Sequence, residues 1–212
     1  MQSFWFDVHW RHVAARKLRF FDTFRFLDVA TGTADLGIDV ARRHPAVSVT
    51  GVDLVQGLLD IGCEKLKRLG LSGRMQLVQG NALELPFADR SFDAAGVAFG
   101  IRNINDRARA LREMMRCVVP GGQVAVLELS NHPHPLVRPF FLVYLNFVIP
   151  TMARFFSDNA EAYIYLGKSI ARFPRPTEFA ALMRSCGLGD VEVIPLTFGV
   201  TTLFIGTKPE DA

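Results

Sequence analysis

A glycine turn flanked by acids, Asp28-Val29-Ala30-Thr31-Gly32-Thr33-Ala34-Asp35, stands between an apolar run and a stretch with helical spacing. Small residues at alternate positions (Ala30, Gly32, Ala34) let a ligand lie directly on the backbone. Two chemistries compete for such a turn. A dinucleotide site wants G-x-G-x-x-G, with the pyrophosphate at the amino end of the following helix. Here the first glycine position is Ala30 and the last is Asp35. A carboxylate on the first helical turn already satisfies the positive dipole end and repels a pyrophosphate there. S-adenosylmethionine has a sulfonium and an ammonium and no phosphate, so Asp28 and Asp35 suit it and penalise a dianion. Asp53 closes the next apolar run about twenty residues past Gly32, where an acid accepts hydrogen bonds from ribose hydroxyls. That acid is common to both ligand classes. Asn81-Ala82, followed by Leu85-Pro86-Phe87, adds a polar edge and an apolar face suited to adenine. The charge argument favours the methyl donor, and a nicotinamide-dependent oxidoreductase stays open as the alternative.

These residues need a scaffold, and the chain supplies the pattern of one. Short Val/Leu/Ile-rich runs alternate with amphipathic stretches, as in repeated βα units around a mostly parallel sheet. Strands are predicted at 26–30, 47–52, 75–79, 92–99 and 123–129. Helices are predicted at 35–44, 57–69 and 107–118, the last stopped by Pro120-Gly121-Gly122. In the second helix Leu58, Ile61, Leu66 and Leu69 are expected inward, with Glu64, Lys65, Lys67 and Arg68 outward. From about Asn131 to Pro176 the rhythm breaks into a Phe-, Tyr- and Pro-rich excursion. A further helix, 177–186, and a terminal strand pair, 191–196 and 201–207, with Phe198-Gly199 at its turn, complete the α/β reading.

Composition narrows the partners. The 212 residues fit one domain, and no linker divides them. A formal charge of +3, from 24 basic and 21 acidic residues evenly scattered, gives no phosphate-tracking surface, so nucleic acid is not expected. Cys63, Cys117 and Cys186 lie far apart and read as reduced thiols of a cytoplasmic protein. Pro139 to Pro150 is the most apolar stretch; at about twelve residues it is too short to span a bilayer, which takes about twenty. It can still touch a membrane surface. His132 and His134, split by prolines, find no cluster of cysteines or carboxylates to complete four ligands, so no metal is expected. His9 and His12 read as packing or surface groups of a basic, aromatic amino-terminal helix.

In order along the chain, DVATGTADL, GVDL, QGNALELPFADRSFD, FGIRNINDRARALREMMRCVVPGG, LELS and YIYLGKSIARFP resemble the ubiquinone/menaquinone biosynthesis C-methyltransferase family. The likeness runs from about Phe4 to Phe204, and FGIRN and Y-x-YL-x-x-SI-x-x-FP are narrow motifs. It implies a Rossmann-like class I methyltransferase: a seven-stranded, mostly parallel sheet with an antiparallel last strand and helices on both faces. It also implies S-adenosylmethionine as methyl donor and a prenylated quinol as acceptor. Thr33, Asp53, Asn81 and Ala82 fall on the family's donor-binding positions, with Asp28, Gly32 and Ala98 in the same site. Two positions depart from the pattern. Ala34 replaces a glycine and adds a methyl, and Ala98 replaces a serine and removes a hydrogen bond. Family members also carry a segment ahead of the region that here reads Ser3 to Trp10; that leader is expected to be missing, leaving the donor site more open.

The resemblance assigns Arg102 and Asn103 to substrate and base-related roles. Because arginine stays protonated near neutrality, Arg102 is expected to stabilise charge or orient a water, and Asn103 to orient a ring oxygen. Leu136 to Phe156, Tyr163 and Tyr165 are expected to line the quinol and tail site within a 131–176 substrate-side insertion. Contact with the inner face of a membrane and a homodimer are compatible with such a protein. A catalytically weak donor-binding scaffold of a quinone-biosynthesis assembly is the reading from a different class; the missing leader and Ala98 motivate it.

Overall fold

The computed structural model describes residues 6–130 and 167–211. Tyr163, Tyr165 and the stretch Leu136 to Phe156 lie outside the described residues.

The strands are β1 (Arg25–Val29), β2 (Ser48–Asp53), β3 (Met75–Gln79), β4 (Phe92–Ala98), β5 (Val118–Leu129), β6 (Gly189–Leu196) and β7 (Thr201–Thr207). They form one seven-stranded sheet in the order β3-β2-β1-β4-β5-β7-β6. β1 pairs parallel to β2 and β4, β2 to β3, and β4 to β5, while β7 runs antiparallel to both β5 and β6. From β1 the chain builds outward through β2 and β3, then returns to add β4 and β5 on the other side. The strand order therefore reverses between β1 and β4, and the crevice at their carboxyl ends is where such sheets seat ligands.

The helices are α1 (Phe6–Lys17), α2 (Asp35–Arg43), α3 (Gln56–Arg68), α4 (Arg107–Cys117) and α5 (Pro176–Ser185). Two apolar cores lie on opposite faces of the sheet. One gathers Trp10, Ala14, Val40, Leu66 and Leu127, so it is closed by α1, α2 and α3. The other gathers Leu111, Met114, Phe179, Val126 and Phe204 under α4 and α5. Burial on both faces explains the near-continuous apolar runs of β1, β2 and β4. Amphipathic spacing on α4 buries Ala110, Leu111, Met114 and Cys117.

Three expectations change. In α3 the inward residues are Leu59, Gly62 and Leu66, while Leu58, Ile61 and Leu69 are exposed. Gly62 permits this packing: a Cβ there would come within 2.6 Å of Leu77. Lys65, expected outward, turns instead to the glycine turn, where its Nζ donates to Asp35 Oδ1 at 3.0 Å. Pro120-Gly121-Gly122 lies within β5, because Lys208 pairs with it: Gly121 N–H donates to Lys208 O and Lys208 N–H to Gly122 O.

Candidate active site

The carboxyl ends of β1 and β2 are tied together before any ligand is considered. Thr31 N–H donates to Val52 O at 3.0 Å, and Gly32 N–H donates to Asp53 Oδ2 at 2.8 Å. Gly32 is left-handed, with φ +56, and a Cβ built on it would meet nothing within 4 Å. The turn thus opens onto free space beside Asp53. Open backbone at Gly32 with a carboxylate hydrogen-bonded beside it fits a nucleoside whose sugar hydroxyls need acceptors.

Asp28 sits beneath this turn, not at its mouth. It is 1% exposed, and its Oδ2 accepts from Thr31 Oγ1 at 2.6 Å and from Gly37 N–H at 2.9 Å. Gly37 can come that close because it has no side chain; a Cβ there would crowd Met75 and Val49. Burial pushes the Asp28 carboxyl up to about 7, against the pull of those two hydrogen bonds. A carboxylate held against an amide of the first turn of α2 already occupies the end where a pyrophosphate would sit. The acid therefore disfavours phosphate from below, and its own charge is muted.

Asp35, on the first turn of α2, is not a bare charge either. Its Oδ2 accepts from Thr33 Oγ1 at 2.8 Å, and Lys65 Nζ lies 3.0 Å from Oδ1. Lys65 also donates to Thr33 Oγ1 at 3.2 Å. The rim is thus less acidic than its residue types imply, and Asp53 lies directly against the turn through its bond from the Gly32 N–H. Its Oδ1 accepts from Val55 N–H at 2.9 Å, so each oxygen keeps one further acceptor site. Ala34 is left-handed at φ 68, so the methyl that replaces a glycine brings backbone strain as well as bulk.

Past β3, Gly80 N–H donates to Asp53 O at 2.9 Å and brings Asn81-Ala82 to the same edge. Asn81 Oδ1 accepts from Leu83 N–H at 2.9 Å, closing a tight turn with Asn81 exposed and Ala82 half-buried. Arg116 on α4 anchors the following loop: it donates to Leu85 O, Phe87 O and Asp89. Its hydrogen bond to Glu113 holds that carboxyl below its usual range, and Glu113 in turn accepts from Leu85 N–H.

On the other side of the switch point β4 ends at the half-buried Ala98. A 3-10 turn, Ile101–Asn103, follows and holds Arg102 and Asn103 at the edge. Asn103 is exposed, and its N–H donates to Gly100 O. Arg102 is anchored to the end of β5. Its Nη1 lies 2.7 Å from Glu128 Oε1 and also donates to Phe99 O. Glu128 is fully buried, and burial raises its carboxyl against the lowering effect of Arg102.

The glycine turn, Asp53, Asn81-Ala82 and the Arg102-Asn103 turn thus share the carboxyl edge of the sheet. Sequence reasoning did not find Glu128 or Lys65. A lone acid in the run Gln123 to Leu129 was the available signal for the first, since a charge in an apolar strand needs a partner; nothing in the spacing of α3 marked the second. Among the described residues no group of three or more His, Cys, Asp or Glu side chains could hold a metal.

Solved structures reproduce the architecture. An S-adenosylmethionine-dependent methyltransferase from Aquifex aeolicus superposes with TM-score 0.68 at 14% identity, covering 93% of this chain and 88% of that one. The [4+2]-cyclase SpnF gives TM-score 0.71 at 19% identity, over 96% of this chain and 80% of that one. At these identities the likeness concerns the fold alone. Sequence relatives are nearer. The ubiquinone/menaquinone biosynthesis C-methyltransferase UbiE of Geotalea daltonii is 37% identical over 207 residues, 97% of this chain and 88% of that relative. The demethylmenaquinone methyltransferase of Porphyromonas gingivalis is 41% identical over 210 residues, 97% of this chain and 84% of that relative. The ubiE/COQ5 methyltransferase family matches residues 1–208. Neither the oxidoreductase nor the scaffold reading is favoured by these matches. The chain belongs to the ubiE/COQ5 methyltransferase family and is an S-adenosylmethionine-dependent methyltransferase.

Proposed function

We propose that the acceptor is a ring carbon of a demethylated quinol bearing a polyprenyl tail, in the biosynthesis of menaquinone or ubiquinone. The observation that carries this reading is the Arg102-Asn103 turn, held at the end of β4 across the switch point from the open glycine turn. S-adenosylmethionine, when bound, supplies an electrophilic methyl on a sulfonium. Gly32 and its neighbours support it through the backbone, Asp53 accepts from its ribose hydroxyls, and Asn81 with Ala82 meets the adenine. Thr33 and Ala98 complete the wall, and Asp28 acts by holding the turn in shape.

The ring carbon becomes nucleophilic as a ring hydroxyl loses its proton. Arg102 stabilises the negative charge that develops on that oxygen, and Asn103 orients it. The ring carbon would take the methyl as its bond to sulfur breaks, leaving the neutral thioether; one proton would pass to solvent, and transfer of the ring proton back to the oxygen would restore the aromatic quinol. Tyr163 and Tyr165 belong to the acceptor side in this reading. A tailed quinol resides in lipid, so the enzyme meets it at a membrane surface; among the described residues no helix is long and apolar enough to cross a membrane.

The test is methyl transfer to short-chain demethylmenaquinol and to a demethylated benzoquinol, with the new methyl located by mass spectrometry. Transfer to the ring carbon of either is expected, and its absence with both refutes the reading. Arg102→Ala is expected to lower turnover at least tenfold with the donor dissociation constant within twofold of wild type. Unchanged turnover removes Arg102 from the chemistry.

A further inference from the structure

The structure assigns to Glu128 the task of positioning Arg102, so that the Nε–Nη2 edge of the guanidinium is left to bind a ring oxygen of the acceptor. This rests on the placement of Arg102 at the acceptor side and adds to it the residue through which that placement is achieved.

The grip is made at two points. Glu128 Oε1 takes Arg102 Nη1 at 2.7 Å, and Oε2 takes the Arg102 backbone N–H at 3.2 Å. Oε1 also accepts from Leu129 N–H at 2.9 Å. Every partner is a donor, as an ionised carboxylate requires. Phe99 O receives a second bond from Nη1, so that nitrogen is spent on the protein. Arg107 braces the turn from outside: its Nη2 donates to Arg102 O at 3.1 Å and its Nε to Ile101 O at 3.4 Å. The head group is therefore fixed at one corner while its carrier turn is fixed along its length.

The other edge tells a different story. Arg102 Nε is buried and has no partner, and Nη2 makes no hydrogen bond among the described residues. The side chain is only 9% exposed and its partner 0%. Burying two charges is costly, and well-packed apolar residues hold a core as well or better. Stability alone therefore does not account for the pair, still less for a buried N–H left without an acceptor. Nε–H and Nη2–H project side by side from one edge of a rigid plane, a geometry made for an anionic oxygen. With the acid fixed behind it, the guanidinium keeps this edge in place while charge develops on a ring oxygen that comes to cover it.

Three variants, Glu128→Gln, Arg102→Met and Arg102→Met/Glu128→Met, test this with short-chain demethylmenaquinol and S-adenosylmethionine. Glu128→Gln is expected to lower kcat at least tenfold, to leave the donor dissociation constant within twofold, and to move the acid limb of kcat to lower pH, because a negative charge near the ionising hydroxyl is gone. In the Arg102→Met background, removing Glu128 as well is expected to change kcat less than twofold. A readout without turnover uses 15N NMR: the Arg102 Nε–H is expected to exchange with solvent at least tenfold faster in Glu128→Gln. A kcat within twofold of wild type in Glu128→Gln overturns the assignment. So does a loss of equal size in the Arg102→Met background, which makes Glu128 independent of Arg102. Should Glu128→Gln fail to fold, the double variant against Arg102→Met decides alone. Full turnover in Arg102→Met refutes the role of Arg102 itself, and wild-type inactivity on every quinol refutes the acceptor reading; in both cases an unchanged Nε–H exchange rate separately refutes the clamp.

Discussion

Asp28 and Asp53 look alike in the sequence, each an acid at the end of an apolar run, and the fold gives them different work. Asp53 keeps acceptor capacity beside the open turn; Asp28 is sealed beneath it. Burial raises the Asp28 carboxyl from 3.8 to about 7. The folded protein then holds a proton that the unfolded chain has lost, so this group's contribution is full below pH 3.8 and declines as pH rises to about 7. Asp28→Asn removes that dependence. Denaturant titrations at pH 5 and 7.5 are expected to show wild type losing at least about 1 kcal/mol relative to the Asn variant; a constant difference between them contradicts the shift. What was legible here was the location of the acids. Their division into one beneath and one beside the turn depends on Gly37 letting α2 approach Asp28, a contact between neighbouring elements that residue types do not encode.

At the scale of elements, the alternation of strands and helices was readable because parallel strands buried on both faces become continuous apolar runs. The face of α3 was not. Its seam is Leu59, Gly62 and Leu66, and the middle member has no side chain to register in a hydrophobic count. Leu58 and Ile61 therefore outline a stronger stripe than the one that packs. The β6–β7 turn hides another feature: Thr197 and Phe198 are both left-handed, at φ 45 and φ 55. Trp10 Nε1 donates to Thr197 Oγ1 at 2.8 Å and ties the turn to α1, while Phe198 is 73% exposed. Strain without burial can be removed at little cost in packing. Phe198→Gly removes about 1–2 kcal/mol of left-handed strain and adds about 0.4–1 kcal/mol of unfolded-chain entropy, so it is expected to raise stability by about 0.5 kcal/mol, a rise of about 1–2 °C in Tm for a chain of this size; an unchanged or lowered Tm in calorimetry refutes this.

Across the whole molecule, the last strand in the sequence is not last in the sheet. β7 fills the place between β5 and β6, pairing Gln123 to Leu129 of one with Thr207 to Thr201 of its own. A chain cut before Thr201 leaves that length of β5 with an open apolar edge, the kind of surface that pairs with other molecules. Such a truncation is expected to aggregate, which light scattering of the purified protein detects; a soluble monomer contradicts it. The general architecture was legible from repeats of βα units, and the antiparallel insertion entered through the family resemblance, since pairing partners far apart in the chain leave no local periodicity. One consequence reaches into biosynthesis. A ribosome making this protein has all the parallel strands and both sides of the gap finished while the piece that fits between them is still being added. The nascent chain must wait, with that seam unclosed, until the missing strand arrives, and in that interval it most needs shelter from its neighbours.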